Sequence, residues 1–230
     1  MWPSWPDGDK SELQASDSSK PEKNPAATVS STLSQAMRTR ALWLLIFAGS
    51  AQSLIGTGVM FHQVEIMSTK GLSTAVSAGV FGVIAPALIA GQFISGYLAS
   101  RFEERYLIAI GQVLLVGNIL LLLTISEAWH AYVYGVALGI NMGFLMNSMQ
   151  SVWPAYFGRQ HLGSIRGVTN FGIMASAALG PLPLAAAIDL SDSYTPGLIA
   201  YMTLPPLCAI AALAAGGPAT YLREHSSPSS

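Results

Sequence analysis

WPAYFGRQHLGSIRG, residues 153–167, is a short polar connection set between two long apolar runs. HAYVYGVALGINMGFLMNSMQSV (130–152) precedes it and VTNFGIMASAALGPLPLAAAID (168–189) follows it. At 1.5 Å per residue, either run is long enough to cross a ~30 Å hydrocarbon core as a helix. The connection carries Arg159, His161 and Arg166. Cationic loops resist translocation, so this one is expected on the cytoplasmic side, where it fixes the direction of every other span.

Working outward, the same pattern recurs. Apolar runs cover 41–64, 76–100 and 106–125 before the pair just quoted (129–152 and 168–188), and a last one covers 196–218. Six spans put both termini on one side. Composition agrees: 51% of the 230 residues are hydrophobic and 10% charged, with a mean hydropathy of +0.46, whereas soluble domains are ~25% charged. Residues 1–36 are polar and rich in Ser, Pro, Asp and Lys. They are expected to form a disordered cytoplasmic tail, with 34–40 helical along the interface. No apolar core follows Met1, so no cleavable signal peptide is read there. Residues 37–220 are then the bundle and 221–230 a second cytoplasmic tail. Cys208 is the single cysteine, which excludes an intrachain disulfide.

Charge tests the topology. Of eleven Lys and Arg residues, Lys70 alone falls opposite the central basic connection. The other ten, among them Arg38, Arg40, Arg101, Arg105 and Arg223, fall on its side. Both termini are therefore expected in the cytoplasm of a cell whose plasma (inner) membrane the chain crosses.

An offset of 90 residues exposes internal similarity. Leu72, Phe81, Gly82, Ala85 and Ala87 align with Leu162, Phe171, Gly172, Ala175 and Ala177. Three spans separate the copies, an odd number, so the copies are inverted in the membrane. The fold expected is an all-α membrane protein of six helices built as a 3+3 inverted repeat. The second span also carries Gly79, Gly82, Pro86, Gly91 and Gly96, and the fifth Gly172, Gly180, Pro181 and Pro183. Small residues allow close helix approach in lipid, and the prolines favour bends.

GLSTAVSAGVFGVIAPALIAGQFISGYLASRFEER (71–105) resembles the seventh-to-eighth helix region of the major facilitator superfamily. Gly96, Leu98, Ala99, Arg101 and Arg105 fit its G-x-L-A-D-R-x-G-R-R loop, with Ser100 in place of Asp and Glu103 in place of Gly. PAYFGRQHLGSIRG with LGPLPLAAAID is similar to the monocarboxylate and oxalate/formate antiporter-like branch. The resemblance covers about 34–220 and matches a C-terminal six-helix half. It implies secondary transport of a small solute, a monocarboxylate or related organic anion among the candidates. It also implies a partner: a separate N-terminal six-helix half or a second copy. The polar first tail is similar to the central linker of full-length relatives, as in a split or truncated gene. Gly96, Arg101, Arg105, Arg159 and Arg166 would serve as a conformational latch, since cations at helix C-termini meet exposed carbonyls. Plain positive-inside topology explains the same arginines.

Polar residues inside the spans are the remaining candidates. Gln52 and Gln63 lie on one face of the first span. Asn141, Asn147, Ser148 and Ser151 share an arc of roughly 120° on the fourth, with Gln150 off it. Intramembrane amides need a partner or water, so these residues face a cavity or another helix. Gln52, Gln63, Asn141, Asn147 and Ser148 are thus candidate substrate contacts, with interhelical hydrogen bonding the competing explanation. His62, one turn from the outer end, could carry a coupling proton. No Asp, Glu, Lys or Arg falls mid-span, so the cavity cation expected of a carboxylate exchanger is not found. No serine-hydrolase, metalloprotease or paired-aspartate motif is present, so no enzyme, metal or cofactor is expected. No basic, aromatic-interleaved patch speaks for nucleic acid. The competing function is an accessory or truncated six-helix subunit without transport activity of its own.

Overall fold

The computed structural model describes residues 31–216, and these are helical throughout, with no strand among them. The proposed disorder of 1–30 and the tail 221–230 lie outside the described residues. The chain runs α1 (Leu33–Met37), α2 (Arg40–Thr69), α3 (Thr74–Ala99), α4 (Glu104–Thr124), α5 (Ala128–Phe157), α6 (Leu162–Leu179), α7 (Pro181–Ser191) and α8 (Thr195–Ala214). α1 overlaps both the end of the expected tail and the helix expected over 34–40, and it is folded. Thr32 and Gln35 form a capping box, Ala36 is fully buried, and the Ser31 amide donates to the Phe157 carbonyl at 3.1 Å.

Five segments are long and apolar enough to cross a membrane: α2, α3, α4, α6 with α7, and α8. α5 has the length, at 30 residues, and no charged side chain. Asn141, Asn147, Ser148, Gln150 and Ser151 make it the most polar of the six. The connection expected over 153–167 shrinks to 158–161. α5 continues past the apolar run to Phe157, where Gly158 at φ 74° stops it, and α6 starts at Leu162. The fifth segment breaks at Gly180, because Pro181 supplies no N–H to the preceding turn. The Gly180 amide instead donates to the Ala177 carbonyl at 3.0 Å, and the Tyr201 hydroxyl donates to the Gly180 carbonyl.

Packing follows the repeat. α3 packs mainly on α5 and α6 on α2; α4 packs on α5 and α8 on α2; α4 and α8 pack on each other. Exchanging α2–α4 with α5–α8 reproduces that scheme, as a 3+3 inverted repeat requires. The ends are closed similarly. At one end the Lys70 ammonium donates to the Leu123 carbonyl at 2.8 Å, at the C-terminus of α4. Burial lowers its pKa from the usual lysine value. At the other, basic end the Tyr156 hydroxyl donates to the Gly216 carbonyl beyond α8. Both satisfy carbonyls that a helix C-terminus leaves orphaned.

The α3–α5 seam is built on glycine. A Cβ at Gly139 would lie 2.5 Å from the Ile84 carbonyl oxygen, one at Gly143 would collide with the Leu88 carbonyl, and one at Gly91 with the Ile140 carbonyl. Gly58 and Gly180 make the equivalent close approach between α2 and the α6–α7 break. A Cβ at Gly172 would lie 3.0 Å from Ile46, but Gly82, which the sequence placed with it at a contact, has nothing within 4 Å of its would-be side chain.

Candidate functional site

α2 and α5 face each other across a cavity of about 300 Å³, with α3 and α6 on its two flanks. Gln52, Ser53, Gly56 and Thr57 line it from α2. Gln52 lies twelve residues into the helix, roughly 18 Å from its start and so deep in the bundle. From α5 come Met142, Met146, Met149, Gln150 and Trp153, a single stripe at spacings of three and four. Leu88 of α3 and Asn170 and Ile173 of α6 complete the wall. None of the lining residues is charged.

Of the sequence-derived candidates, Gln52 alone lines this cavity. Its Oε1 is buried without a hydrogen-bond partner. Asn147 and Ser148 are turned to α3 instead. Asn147 Nδ2 donates to Ser95 Oγ at 3.2 Å, and the Ser95 and Ser148 hydroxyls are 2.9 Å apart. Asn141 is turned to α4, where its Nδ2 donates to the Gly111 carbonyl at 2.8 Å. With Asn118 it borders an apolar groove of about 650 Å³ on the outer surface between α4 and α5. Gln63 is fully buried on the same face of α2 as Val59, and neither amide atom is hydrogen-bonded. His62 sits half-buried near the Lys70 end, its ring centroid 5.5 Å from that of Tyr194.

The latch candidates lie at the basic end. Arg101 stacks over Tyr97, 4.8 Å from the ring centroid. Arg105 pairs with Glu103 at 2.7 Å, although its Nε–H is not aimed along that contact, and it stacks over Tyr106. Both are therefore engaged within their own loop. Gly96 is exposed beside Asn147, and Arg159 is exposed. Arg166 joins two helices, donating from Nη2 to the Gln150 carbonyl at 3.0 Å.

Sequence reasoning missed the methionine stripe, Ser53, Thr57 and Asn170 in the cavity wall, and Gln112, which ties α4 to the Ala48 carbonyl at 2.6 Å. The stripe was open to detection, since Met142, Met146, Met149 and Trp153 repeat at helical spacing around the Gln150 set aside from the polar arc. Among the described residues no group of three His, Cys, Asp or Glu side chains could hold a metal ion.

Comparison with known proteins agrees with this architecture. The chain is 25% identical over 167 residues to the agnestins efflux protein of Paecilomyces divaricatus, a match covering 70% of this chain and 37% of that protein. The chain thus corresponds to little more than a third of that relative's length. The pattern of the Major Facilitator Superfamily matches residues 7–181. With that pattern over most of its length and the helices arranged as half of such a fold, the chain belongs to the major facilitator superfamily, a family of integral multi-pass membrane transporters.

Proposed function

We propose that the chain forms one wall of an alternating-access transporter for a small organic solute, with efflux as the direction that the relative's name brings to it. The observation that carries this reading is the cavity itself. Its walls are repeat-related helices, α2 with α5 and α3 with α6, so the same two kinds of seam border it toward either end. Gln52 is the solute contact in this reading. His62 carries a coupling proton, and Gly96, Arg101, Arg105, Arg159 and Arg166 form the latch on the cytoplasmic side of the plasma membrane.

The wall calls for a second wall. Only 22% of the spanning residues of α3 and 17% of those of α6–α7 are buried, against 39% to 50% in α2, α4 and α8. The exposed faces of these flanking helices are apolar, with Ile89 and Phe93 on one and Phe171 and Met174 on the other. A separate N-terminal six-helix half or a second copy of the chain would cover them.

Cysteines at Ile89 and Met174 in a Cys208→Ser background test the pairing, and Gln52→Cys in the same background tests access. Crosslinks between polypeptides are expected, together with labelling of the Gln52→Cys thiol by an aqueous maleimide from each side of sealed vesicles. A protein that stays monomeric in lipid without crosslinking overturns the pairing. Pairing with the Gln52→Cys thiol reached from neither side leaves the accessory-subunit reading.

A further inference from the structure

The cavity wall has two chemistries. One side is the α5 stripe of Met142, Met146 and Met149 ending on Trp153, extended by Leu88 and Ile173, with the neutral amide of Gln150 among them. Thioethers are polarizable and unbranched, so they mould to flat apolar ligands and make favourable contacts with aromatic rings. The other side offers neutral hydrogen-bonding groups only: the amides of Gln52 and Asn170 and the hydroxyls of Ser53 and Thr57. A carboxylate entering here would exchange its hydration for neutral donors in a low-dielectric site, with no cation in the wall to compensate. Among the described residues, Arg166 lies one turn from Asn170 on α6, and its Nη2 is already bonded to the Gln150 carbonyl.

Gln52 adds a direction. Its Oε1 is buried with no partner, and rotation of the amide about its last torsion exchanges Oε1 with Nε2. A ligand O–H or N–H would give that oxygen its missing donor, which a carboxylate cannot do. The volume of about 300 Å³ is at the small end for ligand sites, enough for a compact ring system.

We propose that this cavity takes a neutral, ring-bearing molecule with a hydroxyl or N–H donor, in preference to an organic anion. The inference rests on the transporter reading and gives its site a substrate class. It sets the chain apart from the organic-anion expectation attached to the monocarboxylate-like resemblance.

The test uses the whole chain in lipid nanodiscs and three probes of one shape: 2-naphthol, naphthalene and 2-naphthoate, each corrected for uptake by protein-free discs at pH 7. 2-Naphthol is expected to bind about tenfold more tightly than naphthalene, the equivalent of one net hydrogen bond, and more than tenfold more tightly than 2-naphthoate. Gln52→Leu is expected to shrink the naphthol-to-naphthalene ratio to about twofold or less while naphthalene binding persists. Ser53→Ala serves as a second variant where that one fails to fold. 2-Naphthoate binding equal to or tighter than 2-naphthol, no specific uptake of 2-naphthol, or a ratio unmoved by the folded variants would overturn the inference. Naphthoate preference with two-sided labelling of the Gln52→Cys variant sinks the substrate class and leaves transport standing. Naphthol preference without such labelling does the reverse.

Discussion

Asn141 and Asn147 are six residues apart on α5 and serve different neighbours. Six residues turn a helix by about 240°, so the two side chains point about 120° apart. An arc that wide reaches both α4 and α3. This is why a polar arc drawn on the sequence was correct as geometry and silent about which side faced the cavity. The same count leaves Gln150 with Met146 and Met149, on the cavity side. The roles therefore separate in variants. Ser148→Ala removes the 2.9 Å contact with Ser95 and is expected to lower stability by ~0.6 kcal/mol, as single interhelical hydrogen bonds do. It should leave 2-naphthol affinity unchanged, and melting in detergent alongside nanodisc binding checks both. Tyr201→Phe strips a donor from the Gly180 carbonyl. That carbonyl, at the N-cap of α7, keeps its helix bond, so the loss is one net hydrogen bond, about 0.5–1.5 kcal/mol, and this variant should melt at or below Ser148→Ala.

At the scale of elements, hydropathy marked five of the six spans directly, and α5 was legible from its length and its lack of charged side chains. Their ends were not. α5 and α6 both run beyond the apolar core, and polar residues outside lipid remain helical until Gly158 at φ 74° ends the turn. Hydropathy therefore located the membrane rather than the helices. The seams were legible in kind and wrong in one detail. Glycine-rich α3 was rightly read as a packing helix, yet the dense contact stripe is Gly135, Gly139 and Gly143 on α5, while Gly82 faces outward. Gly143→Leu should force α3 and α5 apart and cost about 3 kcal/mol or more, seen as loss of monodisperse protein on gel filtration. Gly82→Leu, with nothing within 4 Å, should express and melt like the parent. Equal loss in both variants would put the seam elsewhere.

For the whole molecule, the 90-residue similarity between residues 72–89 and 162–179 anticipated the packing scheme, since each interface within one set of helices has its counterpart in the other. The proposed direction of insertion, with the basic end in the cytoplasm, rests on charge. Cysteines at Ser68 and Ser191, both exposed near the Lys70 end, should react with an impermeant maleimide added outside intact cells. One at Ser164, exposed at the basic end, should react only after lysis. Labelling of the Ser164→Cys variant in intact cells would invert the orientation.

The polarity of α5 bears on how the protein is made. Its hydrogen bonds reach Gly111 of α4 and Ser95 of α3, and both lie upstream in the chain. When α5 leaves the ribosome, the partners of its two asparagine amides are already synthesised. The least apolar span thus meets a prepared surface and is never required to enter lipid alone. Placed by itself in a translocon-insertion reporter, α5 should integrate poorly, and placed behind α3 and α4 it should integrate efficiently. The order of helices along the chain is then also a schedule for biogenesis.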